Sequence, residues 1–198
     1  MSQSASPIDD VTLTCTPERI DDRLVFTYEV TNRGAQDVYV MDAVVGIDPA
    51  SRMPKLEPDN VTIWHGADGF AHLLKGLAPL PTDRNVAVRV IPVAVLLGPR
   101  SQMTRRLELS MPMAEQSPYF ALGNLRDYRV AAIEGVALHV DVLRSTAAGF
   151  RAEPVAVSPE HFRAMSTALV TDLRRLVVSF RAKGLHLMVR TDAYPRPD

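Results

Sequence analysis

A mainly β protein, an antiparallel sandwich with one helix near the C-terminus, is what the sequence predicts, and three observations predict it. Val11, Leu13 and Cys15 alternate with threonines, and Leu24, Phe26, Tyr28 and Val30 alternate with less apolar neighbours up to Asn32-Arg33-Gly34. A period of two on both sides of a turn signal means half-buried antiparallel strands. Turn signals then recur at about ten-residue spacing, as all-β chains show, and one helix start, Ser158-Pro159-Glu160, stands late in the chain.

The elements follow in order. Residues 36–45 read as a third strand, carrying Val38 and Val40 on one face and Tyr39 and Met41 on the other, and it ends at Gly46-Ile47-Asp48-Pro49. Residues 49–60, with Pro49, Pro54 and Pro58, read as a loop. Val61–Trp64 and Gly69–Leu74 form a hairpin around Gly66-Ala67-Asp68-Gly69. Val86, Val88 and Val90 suggest a strand closed by Pro92, which offers no ladder N–H. Met103–Met113 alternates with Leu107, Leu109, Met111 and Met113 on one face, and Pro112 marks an unpaired end. Residues 114–127 are a linker holding Pro118-Tyr119-Phe120 and Gly123-Asn124, and Val136–Leu143 is the clearest strand of the second half.

Gly149–Val157 reads as extended and leads into the helix start. Ser158 as N-cap, Pro159 at the first helical position and Glu160 in the first turn predict a helix over about 159–173, along which Phe162, Met165, Leu169 and Leu173 fall at helical spacing. Residues 174–180 fit either a helix or a strand. The β-branched pair Val177-Val178 favours a strand, turned at Lys183-Gly184 into a closing hairpin with Leu185, Leu187 and Val189. A flexible tail over 1–10, one domain over 11–191 and a loose proline-bearing tail over 192–198 complete the organisation.

Composition excludes more than it assigns. A net charge of −1 supplies no field to gather nucleic acid or an anionic membrane. No run approaches the roughly 20 apolar residues of a membrane span, and the polar, acidic start is no secretory signal. A soluble, cytoplasmic protein is the expectation, or a periplasmic or secreted one if a leader has been removed. Arginine outnumbers lysine nineteen to three, a bias that points to a bacterial source. A lone Cys15 on the apolar face of the first strand forms no internal disulfide and reads as a small core residue.

The pattern of short strands with turns between them resembles the immunoglobulin-like and fibronectin-like sandwiches. Phe26-Thr27-Tyr28-Glu29-Val30-Thr31-Asn32-Arg33-Gly34 is similar to the strand and turn of bacterial domains of that kind, including small intracellular proteinase-inhibitor sandwiches, over about a tenth of the chain. That resemblance implies architecture and no functional residue.

Chemistry-bearing residues are sparse. His65 and His72 flank the Asp68-Gly69 turn, so His65, Asp68 and His72 are the candidate metal ligands; the plainer alternative is a pair of exposed loop histidines. His139 and Asp141 share one strand face and read as an outer polar pair. Met111-Pro112-Met113 and His186-Leu187-Met188 faintly resemble the His/Met copper sites of periplasmic copper chaperones, although core packing accounts for the methionines. No nucleophile elbow, phosphate cradle or zinc motif is present. The reading is therefore a non-enzymatic binding or accessory module, without a cofactor, docking a protein or carbohydrate partner through end loops at 46–60, 65–69 and 114–127. Trp64, Tyr119 and Phe120 are its anchors. Two alternatives stand beside it: a copper or zinc carrier or an enzyme with a site assembled from dispersed residues, and a structural homodimer covering the apolar face of 162–177.

Overall fold

The computed structural model describes residues 4–5, 10–81, 85–120 and 125–191; the Gly123-Asn124 signal and the tail from residue 192 lie outside them. Fourteen strands are described: β1 (Ser4–Ala5), β2 (Val11–Ile20), β3 (Arg23–Asn32), β4 (Val38–Ile47), β5 (Pro54–Glu57), β6 (Thr62–His65), β7 (Phe70–Lys75), β8 (Val93–Leu97), β9 (Ser101–Ser110), β10 (Met113–Ala114), β11 (Tyr128–Arg144), β12 (Arg151–Val155), β13 (Ser158–Met165) and β14 (Arg174–Arg190). The protein is mainly β, as its period-two runs predict.

A small antiparallel sheet, β2-β3-β9, packs over a large one ordered β1-β14-β11-β4-β8-β13-β12. In the large sheet β7 lies parallel beside β11 and carries β6 on its far edge, while β5 extends β4 and β10 extends β14. Inward residues of the small sheet, such as Cys15, Phe26, Tyr28 and Leu107, join Val40, Leu73, Leu138 and Leu176 of the large sheet in one core. Each fully buried side chain of that size stabilises the fold by about 1.5–3 kcal/mol. Cys15 belongs to this core, and burial pushes its thiol up to about 12.

Several local expectations give way to tertiary pairing. The helix over 159–173 is not formed: Ser158–Met165 is a strand, held between β8 and β12, and helix α1 spans only Leu169–Asp172. The cap signal was sound locally, but backbone partners on both sides outweigh it, and Ser158 Oγ bonds His161 Nδ1 (2.9 Å) instead of capping amides. The apolar helical face of 162–177 therefore does not exist. The hairpin at Lys183-Gly184 is also replaced, because β14 runs on without turning and pairs with β11 along both of its halves. Gly184, at φ +75°, sits instead in a bulge where Ala182, Lys183 and Gly184 face Glu134 alone.

Three smaller corrections share one cause, the demand for ladder partners. The strand expected at 86–90 begins after Pro92, at Val93, and leaves Val88 exposed. The loop at 49–60 contributes β5 to the end of β4. The N-terminal tail is not wholly loose, since Ser4 and Ala5 pair with Ser179 and Val178 on the free edge of β14, and Asp10 forms an ion pair with Arg144.

Strands β11 and β14 make the spine of the large sheet, and Gly135 lets them close. A Cβ at Gly135 would stand 2.1 Å from the Phe180 carbonyl oxygen and 3.0 Å from Arg181 Cα. Gly135→Ala is expected to cost about 1–3 kcal/mol as the backbones separate. Urea denaturation would measure it, and an unchanged midpoint would refute so close an approach.

Candidate functional site

Strand alternation decides what the outer face of the large sheet displays. Val136, Leu138 and Val140 point into the core, so Ala137, His139 and Asp141 point outward; the same parity turns out His72 on β7, Trp64 on β6 and Arg175 and Val177 on β14. Register then aligns them: Trp64 pairs with His72, His139 stands beside both Leu74 and Val177, and Asp141 lies opposite Arg175. Trp64 and His72 stack with ring centroids 4.9 Å apart and 15° between planes, and His139 leans on both rings.

A hydrogen-bond chain runs through these rings. Asp68 Oδ1 lies 3.0 Å from His72 Nε2, and His72 Nδ1 lies 2.8 Å from His139 Nε2. The remaining ring nitrogen, His139 Nδ1, is buried and has no hydrogen-bond partner among the described residues. Burial first, then the neighbouring His72 and Arg175, push His139 down to about 3, so its ring is neutral. Burial raises Asp68, but the His72 hydrogen bond and the Phe70 amide more than offset it and hold the carboxyl below its usual range. An ionised Asp68 requires the proton on His72 Nε2. The 2.8 Å contact between His72 Nδ1 and His139 Nε2 holds one proton between the two rings. Gly66 closes over this pair: a Cβ there would meet His72 Nε2 at 2.3 Å and Asp68 Oδ1 at 2.4 Å.

Asp141, 2 % exposed, is held by three donors. Arg175 Nε and one terminal nitrogen donate to its two oxygens (2.8 and 3.1 Å), and the Leu77 amide donates to Oδ2 (2.9 Å). Gly76 makes room for the carboxylate, which a Cβ would touch at 2.3 Å. This bidentate pair spends two of the five guanidinium N–H groups, and Arg175 remains about a third exposed. Arg175 and Arg129 flank a cleft of about 750 Å³ over Trp64, His72 and His139. A second hollow of about 340 Å³, with Arg89 and Leu173 in its wall, adjoins on the other side of Arg175.

Of the residues expected to act together, Asp68 and His72 meet. His65 shares the parity of Ile63, which faces the core, and its amide donates to the Glu115 carboxylate (2.8 Å). Among the described residues no three or more His, Cys, Asp or Glu side chains are grouped so as to hold a metal ion. Met113 and Leu187 are core residues, which leaves His186 on the opposite side of its strand. Trp64 is buried against Leu74 and Phe120, so it is a floor rather than a protruding anchor; Tyr119 is half-buried, with its hydroxyl accepting from the Val90 amide (3.2 Å). Residues 55–61 and 116–120 do converge, around a hollow of about 520 Å³.

Sequence reasoning missed the burial of His139 and Asp141, and with it Arg175. It also missed a buried network at Asp42. There Tyr28 Oη donates to Oδ1 (3.3 Å), while Arg105 Nε and His161 Nε2 donate to Oδ2 (3.2 and 3.1 Å). Burial, then the Asp42 charge and hydrogen bond, push the Tyr28 hydroxyl far up. Ser158, His161 and Asp42 repeat the residue types of a hydrolytic triad. Here the carboxylate is shared with Tyr28 and Arg105 of the small sheet, so the group bolts the two sheets together, and neither Ser158 nor His161 lines the clefts described above. No signal in the sequence linked residues so far apart.

Among the described residues no helix is long and apolar enough to cross a membrane. No protein-family model, curated protein or solved structure matches this chain.

Proposed function

We propose that the protein is a non-enzymatic binding module, built as a sandwich of the immunoglobulin- or fibronectin-like kind, and that it seats a small planar anion in the outer-face cleft. The carrying observation is the pairing of two arginines with an aromatic floor. Arg129 is exposed and in no ion pair among the described residues, and Arg175 keeps N–H groups beyond those given to Asp141. The cleft's acid, Asp68, is already bonded to His72. The exposed Arg129 guanidinium and the spare Arg175 N–H groups beside a Trp-His stack suit a carboxylate or phosphate carried on a flat ring, while Asp68 and Asp141 balance the formal charge of the two arginines. Both His72 nitrogens are engaged and His139 Nδ1 is sealed from solvent, which weighs against the same imidazoles serving as a catalytic base or metal donor.

Trp64 is the chain's one tryptophan, so its fluorescence reports this site alone. Titration with benzoate and phenyl phosphate is expected to change it saturably, and neutral benzamide is expected to bind far more weakly. Arg129→Ala should weaken the anions about tenfold, the worth of one charge-assisted contact. Equal responses to benzamide and benzoate, or no saturable response to either anion, would refute the proposal. A protein partner on the convergent loops is the second reading, favoured by the hollow that Phe120 and Pro58 share.

A further inference from the structure

At the far end of the sandwich the bulge of β14 and the end of the β2-β3 ladder bound a slot of about 180 Å³ between the sheets. Its walls are side chains without polar atoms, Leu24 and Phe26 from the small sheet and Val136, Phe180 and Leu185 from the large one. Protein interiors rarely keep a hollow larger than a water molecule, and an apolar cavity of about 150 Å³ is already large enough to take up benzene. Such walls offer water no side-chain hydrogen bond, so the matching occupant is a hydrocarbon group.

The mouth adds a charge requirement. Cys15, Pro17 and Arg19 pair in turn with Tyr28, Phe26 and Leu24, all of which face the core, so alternation carries Arg19 along the inward face of β2 to the rim of the slot. Glu18, the one acid among the described residues that line the slot, points to the opposite side of its strand by the same alternation, and Glu134, which faces Lys183 across the bulge, is given to Arg181 (3.1 Å). Lys183 arrives from across, pushed out at the bulge. Both cations are exposed, and neither is in an ion pair among the described residues. We infer that this slot is a second binding site, which takes the hydrocarbon end of an alkyl monocarboxylate and holds its carboxylate between Arg19 and Lys183.

The test compares hexanoate, hexanol and hexylammonium, read by the methyl resonances of Leu24 and Leu185. Saturable shifts are expected with hexanoate, about tenfold weaker binding with hexanol, and none with hexylammonium. The double variant Arg19→Glu/Lys183→Glu should reverse the preference between the two ions. Ala182→Phe, which fills the slot from the bulge, should abolish hexanoate and hexanol binding while keeping a wild-type melting temperature; if that variant fails to fold, the charge reversal still decides. Equal binding of all three probes, no methyl shift with hexanoate, or an unchanged preference after charge reversal would overturn the inference.

Discussion

Between pH 6.5 and pH 4 the wild-type protein is expected to lose about 3 kcal/mol of folding stability that a His139→Gln variant retains. In the folded state burial, His72 on β7 and Arg175 on β14 hold His139 at about 3, against an ordinary 6.5, with Asp68 opposing them only weakly. Above pH 6.5 the ring is neutral in both states and contributes no pH dependence. As pH falls, the unfolded chain takes a proton that the folded state refuses, and stability drops until the folded ring protonates near 3. The full window corresponds to about 4–5 kcal/mol at 1.36 kcal/mol per pH unit. The range above pH 4 is the useful one, because most carboxylates titrate below it. Urea denaturation of both proteins across that range checks the difference, and parallel slopes would show that the imidazole is not buried as described.

Removing the Glu115 side chain is expected to cost a comparable amount. Its carboxylate is fully buried and accepts from the amides of His65 (2.8 Å) and Arg190 (2.7 Å), while its own amide donates to the Met188 carbonyl (2.9 Å). One residue thus ties the end of β6, which carries Trp64, to the end of β14. Glu115→Ala takes the acceptor from one buried and one partly buried N–H group, at about 1–3 kcal/mol for the buried one and less for the other, so a loss of about 2–4 kcal/mol is expected. Glu115→Gln keeps one accepting oxygen and should lose roughly half as much. Chemical denaturation gives both values, and Trp64 emission should shift with the loosening of β6. A loss below about 1 kcal/mol in the alanine variant would mean that water takes over both amides.

Legibility of the site follows the range of the forces that build it. The hairpin at Asp68 was readable because turn chemistry acts over four residues, and in the fold it places Asp68 Oδ1 3.0 Å from His72 Nε2. His65 shares the parity of apolar Ile63 rather than of Trp64, and it lines the same cleft without meeting the Asp68–His72 pair. His139 and Asp141 were seen to share a face, yet an outer face suggested solvent. Residues 76–79 and the end of the chain's helix region cover that face instead, with Leu77 donating to Asp141 and Leu173 walling the hollow beside it. The helix expected after Ser158 shows the opposite failure: a valid capping signal lost to strands β8 and β12, neither of which it could sense.

By itself the sequence determined the β class, the early strands, the hairpin and which side chains share a strand face, because period-two patterning is a property of consecutive residues. Only the tertiary structure decided that β7 lies parallel beside β11, that β14 pairs with β11 throughout, and that Trp64, His72, His139, Asp141 and Arg175 are neighbours. Register between distant strands is chosen by the packing of the whole core, and no local pattern encodes it.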